Sequence, residues 1–284
     1  MAAHVSTTTT ITIPQSGLSR LAGEPTRLER WTAPWRALPN LLVIGAQKSG
    51  TTSLHEFLAG HPEIRMSRIK ECHVLWKADW NLCQYRAFFP PRSKCRAPAV
   101  KHVGDSTPYY LFHPTAAISA QRLDTALRAE GRTLRAIVVL RDPVERAWSQ
   151  YQHALRQETE TLSFAEALAA EEVRLTQGAF SHQHHSYQAR GRYAEQLERW
   201  FAALGRGRIL VLEFRELLAM DLPLRERLRK FLELEAPFEG DMPRSNAGKG
   251  ERIPEELRTM LEESFVAPNR ALEQLLGVRY PWMQ

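Results

Sequence analysis

The sequence predicts an α/β fold: a single domain with a central parallel β-sheet flanked by helices, and a P-loop-like turn after its first strand. Three observations predict it. The apolar runs Leu41-Leu42-Val43-Ile44, Ala136-Ile137-Val138-Val139-Leu140 and Ile209-Leu210-Val211-Leu212 have the length and continuity of strands buried on both faces. Helical patterns accompany each run, and strands alternating with helices argue for a parallel sheet. The chain has 284 residues, 43% of them apolar and 25% charged, which suits one large domain with a sizeable core.

Residues 1–38 are expected to form a flexible N-terminal tail. The run Ser6-Thr7-Thr8-Thr9-Thr10 is polar and β-branched, and no sustained apolar period follows it before Pro39. Trp31 and Trp35 offer the tail a way to lie on the domain surface. The domain itself is assigned to residues 39–284. Its first strand ends at Gly45, and Leu54, Phe57 and Leu58 then recur at i, i+3, i+4 until Gly60-His61-Pro62 stops the helix. The second strand runs into Arg141-Asp142-Pro143, where Asp142 takes the N-cap and Pro143 the first helical position. A helix with Tyr193, Leu197, Trp200 and Leu204 on one face precedes the third strand. From Pro254 the pattern is helical again, through Leu257, Leu261 and Phe265 and on to Leu272, Leu275 and Leu276.

Composition excludes several classes. No stretch approaches the roughly 18 consecutive apolar residues of a spanning helix, and the first forty residues lack the apolar core of a secretory signal. Cys72, Cys83 and Cys95 are an odd set without a CxxC pair, which argues for reduced thiols and a cytoplasmic location over a disulfide framework or zinc site. Lys and Arg outnumber Asp and Glu 38 to 32, for a net charge of +6, a balance that favours anionic partners.

Strand, glycine, small polar loop and helix together aim free backbone N–H groups and a helix dipole at a phosphate. The loop reads Gly45-Ala46-Gln47-Lys48-Ser49-Gly50-Thr51-Thr52-Ser53. In the nucleoside-triphosphate loop GxxxxGK[ST], lysine follows the second glycine. Here Thr51 stands at that position and Lys48 sits inside the loop. The arrangement suits a phosphate and is poorly suited to magnesium-triphosphate chemistry, so no metal is expected.

The segment from Leu42 to Leu54 resembles the 5′-phosphosulfate loop of sulfotransferases that use 3′-phosphoadenosine 5′-phosphosulfate (PAPS). It is most similar to the branch containing the heparan sulfate sulfotransferases and their soluble bacterial relatives. The resemblance implies that Lys48, Ser49, Gly50, Thr51, Thr52 and Ser53 bind the donor. Ile137 to Tyr151 is similar to the family's 3′-phosphate segment, which maps its arginine and serine onto Arg141 and Ser149. An arginine fork engages phosphate bidentately, and the 3′-phosphate distinguishes this donor from ATP. Arg190-Gly191-Arg192-Tyr193 resembles the family's Gly-x-Tyr helix start. Asn246 to Arg252 is similar to its basic Lys-Gly-Arg loop, which implies donor contacts from Lys249, Gly250 and Arg252, with Glu251 interrupting the pattern. The cysteine-stapled hairpin of the heparan enzymes is not visible, and the adenine contacts stay unassigned.

Ile69 to Leu75 reads as an extended segment. Its alternation puts Glu71 and His73 on one face and Lys70 and Cys72 on the other. A carboxylate beside an imidazole suits a general base that strips a proton from a hydroxyl or amine, and the residues alone leave open which of the two acts. The resemblance implies Glu71 as the base, His73 as its positioning partner, and Lys48 against charge growing on the leaving phosphate. Val103 to Tyr110 resembles the family's acceptor-side Glu-Lys-Ser/Thr-Pro segment, with Ser106 where the heparan enzymes carry lysine. A small or neutral hydroxylated acceptor is therefore as open as a lipid or glycan. His182-Gln183-His184-His185 is expected to be a mobile acceptor-facing loop and not a metal site. The rival readings are an ATP-dependent small-molecule kinase and a non-catalytic nucleotide- or nucleic-acid-binding protein. No nucleic-acid motif is present, and the oligomeric state is left open.

Overall fold

Among the described residues, five strands form one sheet: β1 (Leu41–Gly45), β2 (Ile64–Met66), β3 (His102–Ser106), β4 (Arg135–Leu140) and β5 (Ile209–Glu213). Their order is β2-β3-β1-β4-β5, and every pairing is parallel. The structure is a computed structural model that describes residues 23–95, 100–243 and 252–283.

Successive strand residues feed opposite faces. Leu42, Ile44, Ala136, Val138 and Leu140 join the core beneath the helices Ala116–Arg128 and Tyr193–Leu204. Leu41, Val43, Ile137, Val139 and Leu212 join a second core with Leu54, Phe57 and Leu58 of the helix Thr51–Ala59 and Leu224 and Leu228 of the helix Leu222–Phe231. Burial on both faces is why β1 and β4 read as unbroken apolar runs. The expected helix faces are buried as well: Tyr193, Leu197, Trp200 and Leu204 on one, Leu261, Phe265 and Leu272 on another.

From β1 the chain crosses toward β3 and β2, whereas from β4 it crosses toward β5. The connections diverge at β1 and β4, and in open parallel sheets ligands bind at such a divergence, beyond the carboxyl ends of the strands. The loops that open there carry Lys48 and Arg141.

Two strands escape the sequence reading. β2 has three residues, and β3 is His-Val-Gly-Asp-Ser with every residue buried, so neither shows an apolar run. Part of the expected tail is also folded onto the domain. Residues 1–22 lie outside the described residues, but Arg27–Trp31 form a helix closed by a Thr26–Glu29 capping box. Ala33, Ala37 and Leu38 are buried, and the Arg36 guanidinium donates to the Phe89 carbonyl at 2.6 Å. The small residues make the contact; Trp31 and Trp35 are 72% and 62% exposed.

Candidate functional site

β1 delivers the chain to the phosphate-type loop. Gly50 takes φ 79° at the N-cap of Thr51–Ala59, and no side chain caps that helix. Its first N–H groups and its positive dipole end therefore face the loop's concavity. The loop is closely packed from behind: a Cβ on Gly45 would lie 2.7 Å from Leu111 Cβ, and one on Gly50 would lie 3.1 Å from Phe214 and Leu217. Ser49 Oγ is buried with no hydrogen-bond partner among the described residues.

Arg141 closes the other side. Its Nη1 donates to the Lys48 carbonyl at 2.9 Å, and its guanidinium lies over the Phe214 ring at 4.9 Å. It also sits 3.8 Å from Glu145, which Arg258 holds at 2.6 Å. Along the helix Pro143–Arg156, Ser149 is four residues beyond Glu145, His153 four beyond that, and Arg156 seven beyond Ser149, so all share one face. Ser149 is half-buried. Burial, reinforced by the charges of Arg156 and Arg141, lowers the Lys48 pKa to about 8, with Glu71 acting in opposition. Burial, with Lys48 and Arg156, likewise lowers His153 to about 4. Such a concentration of positive charge with an orphaned hydroxyl and an uncapped helix end is fitted to a multiply charged anion.

The segment with Glu71 and His73 is not a strand. Both residues are left-handed, at φ 66° and 51°, and with Lys48 they are three of six non-glycine residues with positive φ among the described residues. Non-glycine residues in this region cost about 1–3 kcal/mol each and persist where the surroundings impose them. Glu71 and His73 do meet, with Oε2 to Nε2 3.1 Å, but through two kinked residues and not through alternation. Lys70 is corrected outright: its Nζ lies 3.0 Å from Glu71 Oε1, on the side the alternation denied it. Burial works to raise the Glu71 pKa, but the His73 hydrogen bond and the Lys70 charge outweigh it and hold the carboxyl well below the usual range.

Trp76 Nε1 lies 3.2 Å from His73 Nδ1. An indole N–H only donates, so Nδ1 is the acceptor and the ring proton sits on Nε2, facing Glu71. Both nitrogens of His73 are engaged, and the free lone pairs of the pair belong to the carboxylate.

A buried network imposes this shape. Asp105, on β3, accepts from Tyr85 at 2.7 Å, Tyr110 at 2.9 Å and Thr107 at 2.9 Å. The Tyr110 hydroxyl in turn accepts Val74 N–H at 3.0 Å, and Glu71 N–H donates to the Ser106 carbonyl at 3.1 Å. The Val103–Tyr110 segment is thus the strut beneath the Glu71 loop.

The histidine-rich segment is a helix, Ala179–His184, and not a loop. His182 Nδ1 meets Tyr109 Oη at 2.7 Å, while His185 is buried and bonded to the Thr159 carbonyl at 3.0 Å. Arg190 is 3% exposed. It donates to Gln47 of the loop, to Ser186 Oγ and to the Gln183 carbonyl, and it stacks on Tyr109 at 4.9 Å and Phe112 at 5.3 Å. Arg252 is exposed, and Lys249 and Gly250 lie outside the described residues. Sequence reasoning missed Trp76, Asp105, Tyr110, His153, Arg156 and Arg190 as parts of the site. The helical spacing from Ser149 could have found His153 and Arg156; the others meet only through the fold.

Comparison with known proteins gives a consistent answer. Residues 38–264 match the model of the family described as "Sulfotransferase domain". The "Membrane-associated sulfotransferase kil1" of Dictyostelium discoideum is 33% identical over 127 residues, 42% of this chain and 24% of that protein. The "Heparan sulfate glucosamine 3-O-sulfotransferase 3B1" of Mus musculus is 30% identical over 201 residues, 70% of this chain and 47% of that protein. The chain therefore spans less than half the length of these curated relatives. Among solved structures, a sulfotransferase from Alicyclobacillus acidocaldarius superposes with a TM-score of 0.68 at 28% identity, covering 87% of this chain and all of the other.

Proposed function

Since the chain belongs to the sulfotransferase-domain family, we propose that the protein transfers a sulfuryl group from PAPS to a hydroxyl (or amine) of an acceptor, with Glu71 as the general base. The observation that carries the reading is the convergence, at the β1–β4 divergence, of Lys48, Arg141 and an uncapped helix N-terminus around Ser49 Oγ, which has no partner among the described residues. The kinase and nucleic-acid readings are set aside with the family assignment.

The residues fit the donor at both of its phosphate ends. The N–H groups of Thr51, Thr52 and Ser53 and the Ser49 hydroxyl are arranged for the 5′ end, while Arg141 and Ser149 suit the 3′-phosphate; the resemblance adds Lys249, Gly250 and Arg252 to that side. Bound PAPS supplies the sulfuryl group for in-line displacement by the acceptor oxygen. Glu71 Oε2 takes the acceptor proton, while His73 Nε2–H and Lys70 hold the carboxylate in place. Lys48, left-handed and directed by its own backbone bond to Arg141, stabilises negative charge on the departing phosphate oxygen, where preorganised donors act most strongly.

Thermal melting with 3′-phosphoadenosine 5′-phosphate (PAP), AMP and Mg-ATP, beside transfer from labelled PAPS, tests this. An arginine–phosphate pair contributes about 1.5–3 kcal/mol, so PAP is expected to stabilise the protein far more than AMP. Equal stabilisation by the two would overturn the assignment of Arg141.

A further inference from the structure

Resting on the sulfotransferase reading, we infer that Arg258 is a positioning residue for the donor's 3′-phosphate. Glu145 stands as a carboxylate between Arg141 and Ser149, and Arg258 neutralises it and holds it off the arginine.

The helix Pro143–Arg156 places Glu145 one turn before Ser149 on the same face, and Arg141 reaches that face from the end of β4. An acid therefore lies between the two side chains assigned to the 3′-phosphate. The other carboxylate beside Arg141 belongs to Asp142 and is spent on the helix end, where Oδ1 accepts the Val144 N–H at 2.9 Å. Glu145 is half-buried, and its two oxygens are divided. Oε1 accepts from Arg258 Nη2 at 2.6 Å, whereas Oε2 is 3.8 Å from Arg141 Nη2, beyond hydrogen-bond reach. Arg258 belongs to the helix Glu255–Leu276 and has a second carboxylate, Glu262, at 3.8 Å.

The Arg141 guanidinium is fixed elsewhere. Nη1 donates to the Lys48 carbonyl at 2.9 Å and the group lies over the Phe214 ring, so the Nη2 edge is the one it offers an anion. A phosphate brought to that edge meets Glu145, and like charges side by side oppose binding. The Arg258 bond matches the acid's charge and commits one of its oxygens to the neighbouring helix. A closed Arg141–Glu145 bridge would have to be broken each time the donor bound; the divided carboxylate avoids this. The titration of the arginines agrees with the geometry. The Glu145 hydrogen bond raises the Arg258 pKa, while burial lowers that of Arg141, with Glu145 only in partial opposition. A nucleotide without a 3′-phosphate never approaches Glu145, so the pair acts on selectivity and not on the 5′ end.

The test titrates PAP and AMP calorimetrically into the full chain, as wild type, Arg258→Ala, Glu145→Gln and the double variant. Wild type is expected to favour PAP. Arg258→Ala should weaken PAP about 10- to 100-fold, the effect of an uncompensated like charge, and leave AMP within about threefold of wild type. Glu145→Gln should bind PAP at least as tightly as wild type. The double variant should return to within about threefold of Glu145→Gln, since the acid to be neutralised is gone. An ion pair that merely braced the two helices would give no such rescue. An unchanged preference for PAP in Arg258→Ala, or a double variant as weak as Arg258→Ala, overturns the inference while the donor assignment stands. Should Arg258→Ala not fold, Glu145→Gln decides: retained PAP affinity supports the inference, and a loss of about tenfold or more overturns it. If wild type binds PAP no better than AMP, the assignment of Arg141 and Ser149 fails and this inference goes with it.

Discussion

Replacing Tyr110 with Phe tests whether the buried strut shapes the base. The ring is fully buried and its space is kept, so only the hydroxyl is lost. That hydroxyl donates to Asp105 Oδ2 at 2.9 Å and accepts Val74 N–H at 3.0 Å. Its removal leaves one carboxylate oxygen with Tyr85 alone and strands the buried amides of Val74 and Leu75. Each buried group left unpaired costs about 1–3 kcal/mol, so the two amides should cost about 2–6 kcal/mol. At about 2–4 °C per kcal/mol for a domain of this size, Tm should fall by about 4–24 °C. Glu71 and His73 hold left-handed backbones next to this contact, and displacement of a reacting group by about 1 Å can cost on the order of 10²-fold in rate. The assay is melting with and without PAP, together with kcat from labelled PAPS well below the variant's Tm. Tyr110→Phe should melt early, turn over about 10- to 100-fold more slowly, and keep its PAP melting shift. A Tm within about 1 °C of wild type with unchanged kcat would refute the strut.

Glu71→Gln should lower kcat by about 10²–10⁴ with PAP affinity nearly unchanged, while His73→Ala should cost less; a dead His73→Ala beside a nearly normal Glu71→Gln would reverse the roles. Lys48→Ala in a folded protein should lower kcat by about 10²–10³, and an unaltered kcat would remove it from the mechanism. Burial and the Arg156 charge bring the Lys48 pKa down to about 8, so the free protein loses this charge as pH rises through that value. PAP affinity titrated from pH 6.5 to 9.5 should therefore weaken above about 8 in wild type, and that bend should be absent from Lys48→Ala. Arg141→Ala should remove most of the preference for PAP over AMP, measured as the difference between their melting shifts.

Legibility followed the physics of each signal. β1 and β4 were readable because double-sided burial writes itself as consecutive apolar residues; β5 was readable from its apolar run although it is an edge strand with Leu210 and Val211 half-buried. The turn after β1 was readable because only certain residue types expose backbone N–H groups to an anion. β3 was hidden because its buried positions are polar, satisfied by partners such as Tyr85 that lie 20 residues away. The meeting of Glu71 and His73 was anticipated for the wrong reason. Period-two alternation has no place for two left-handed residues, and so it also sent Lys70 to the wrong side. The grip of Arg190 on the loop could not be read, although the residue lies in a recognised motif, since Gln47 is 143 residues earlier.

That one guanidinium has a consequence for anyone re-engineering the protein. Arg190 grips the loop after β1 through Gln47 and the histidine-rich segment through the Gln183 carbonyl and Ser186, and it lies over the Tyr109 and Phe112 rings. The two segments are therefore not interchangeable cassettes. A graft that exchanges residues 176–188 to change selectivity also redraws the support of the phosphate loop, unless Gln47 and Arg190 are moved as a matched set. The same joint gives the loop and the histidine-rich segment a shared mechanical reference, so a shift of one is felt as a change in the position of the other.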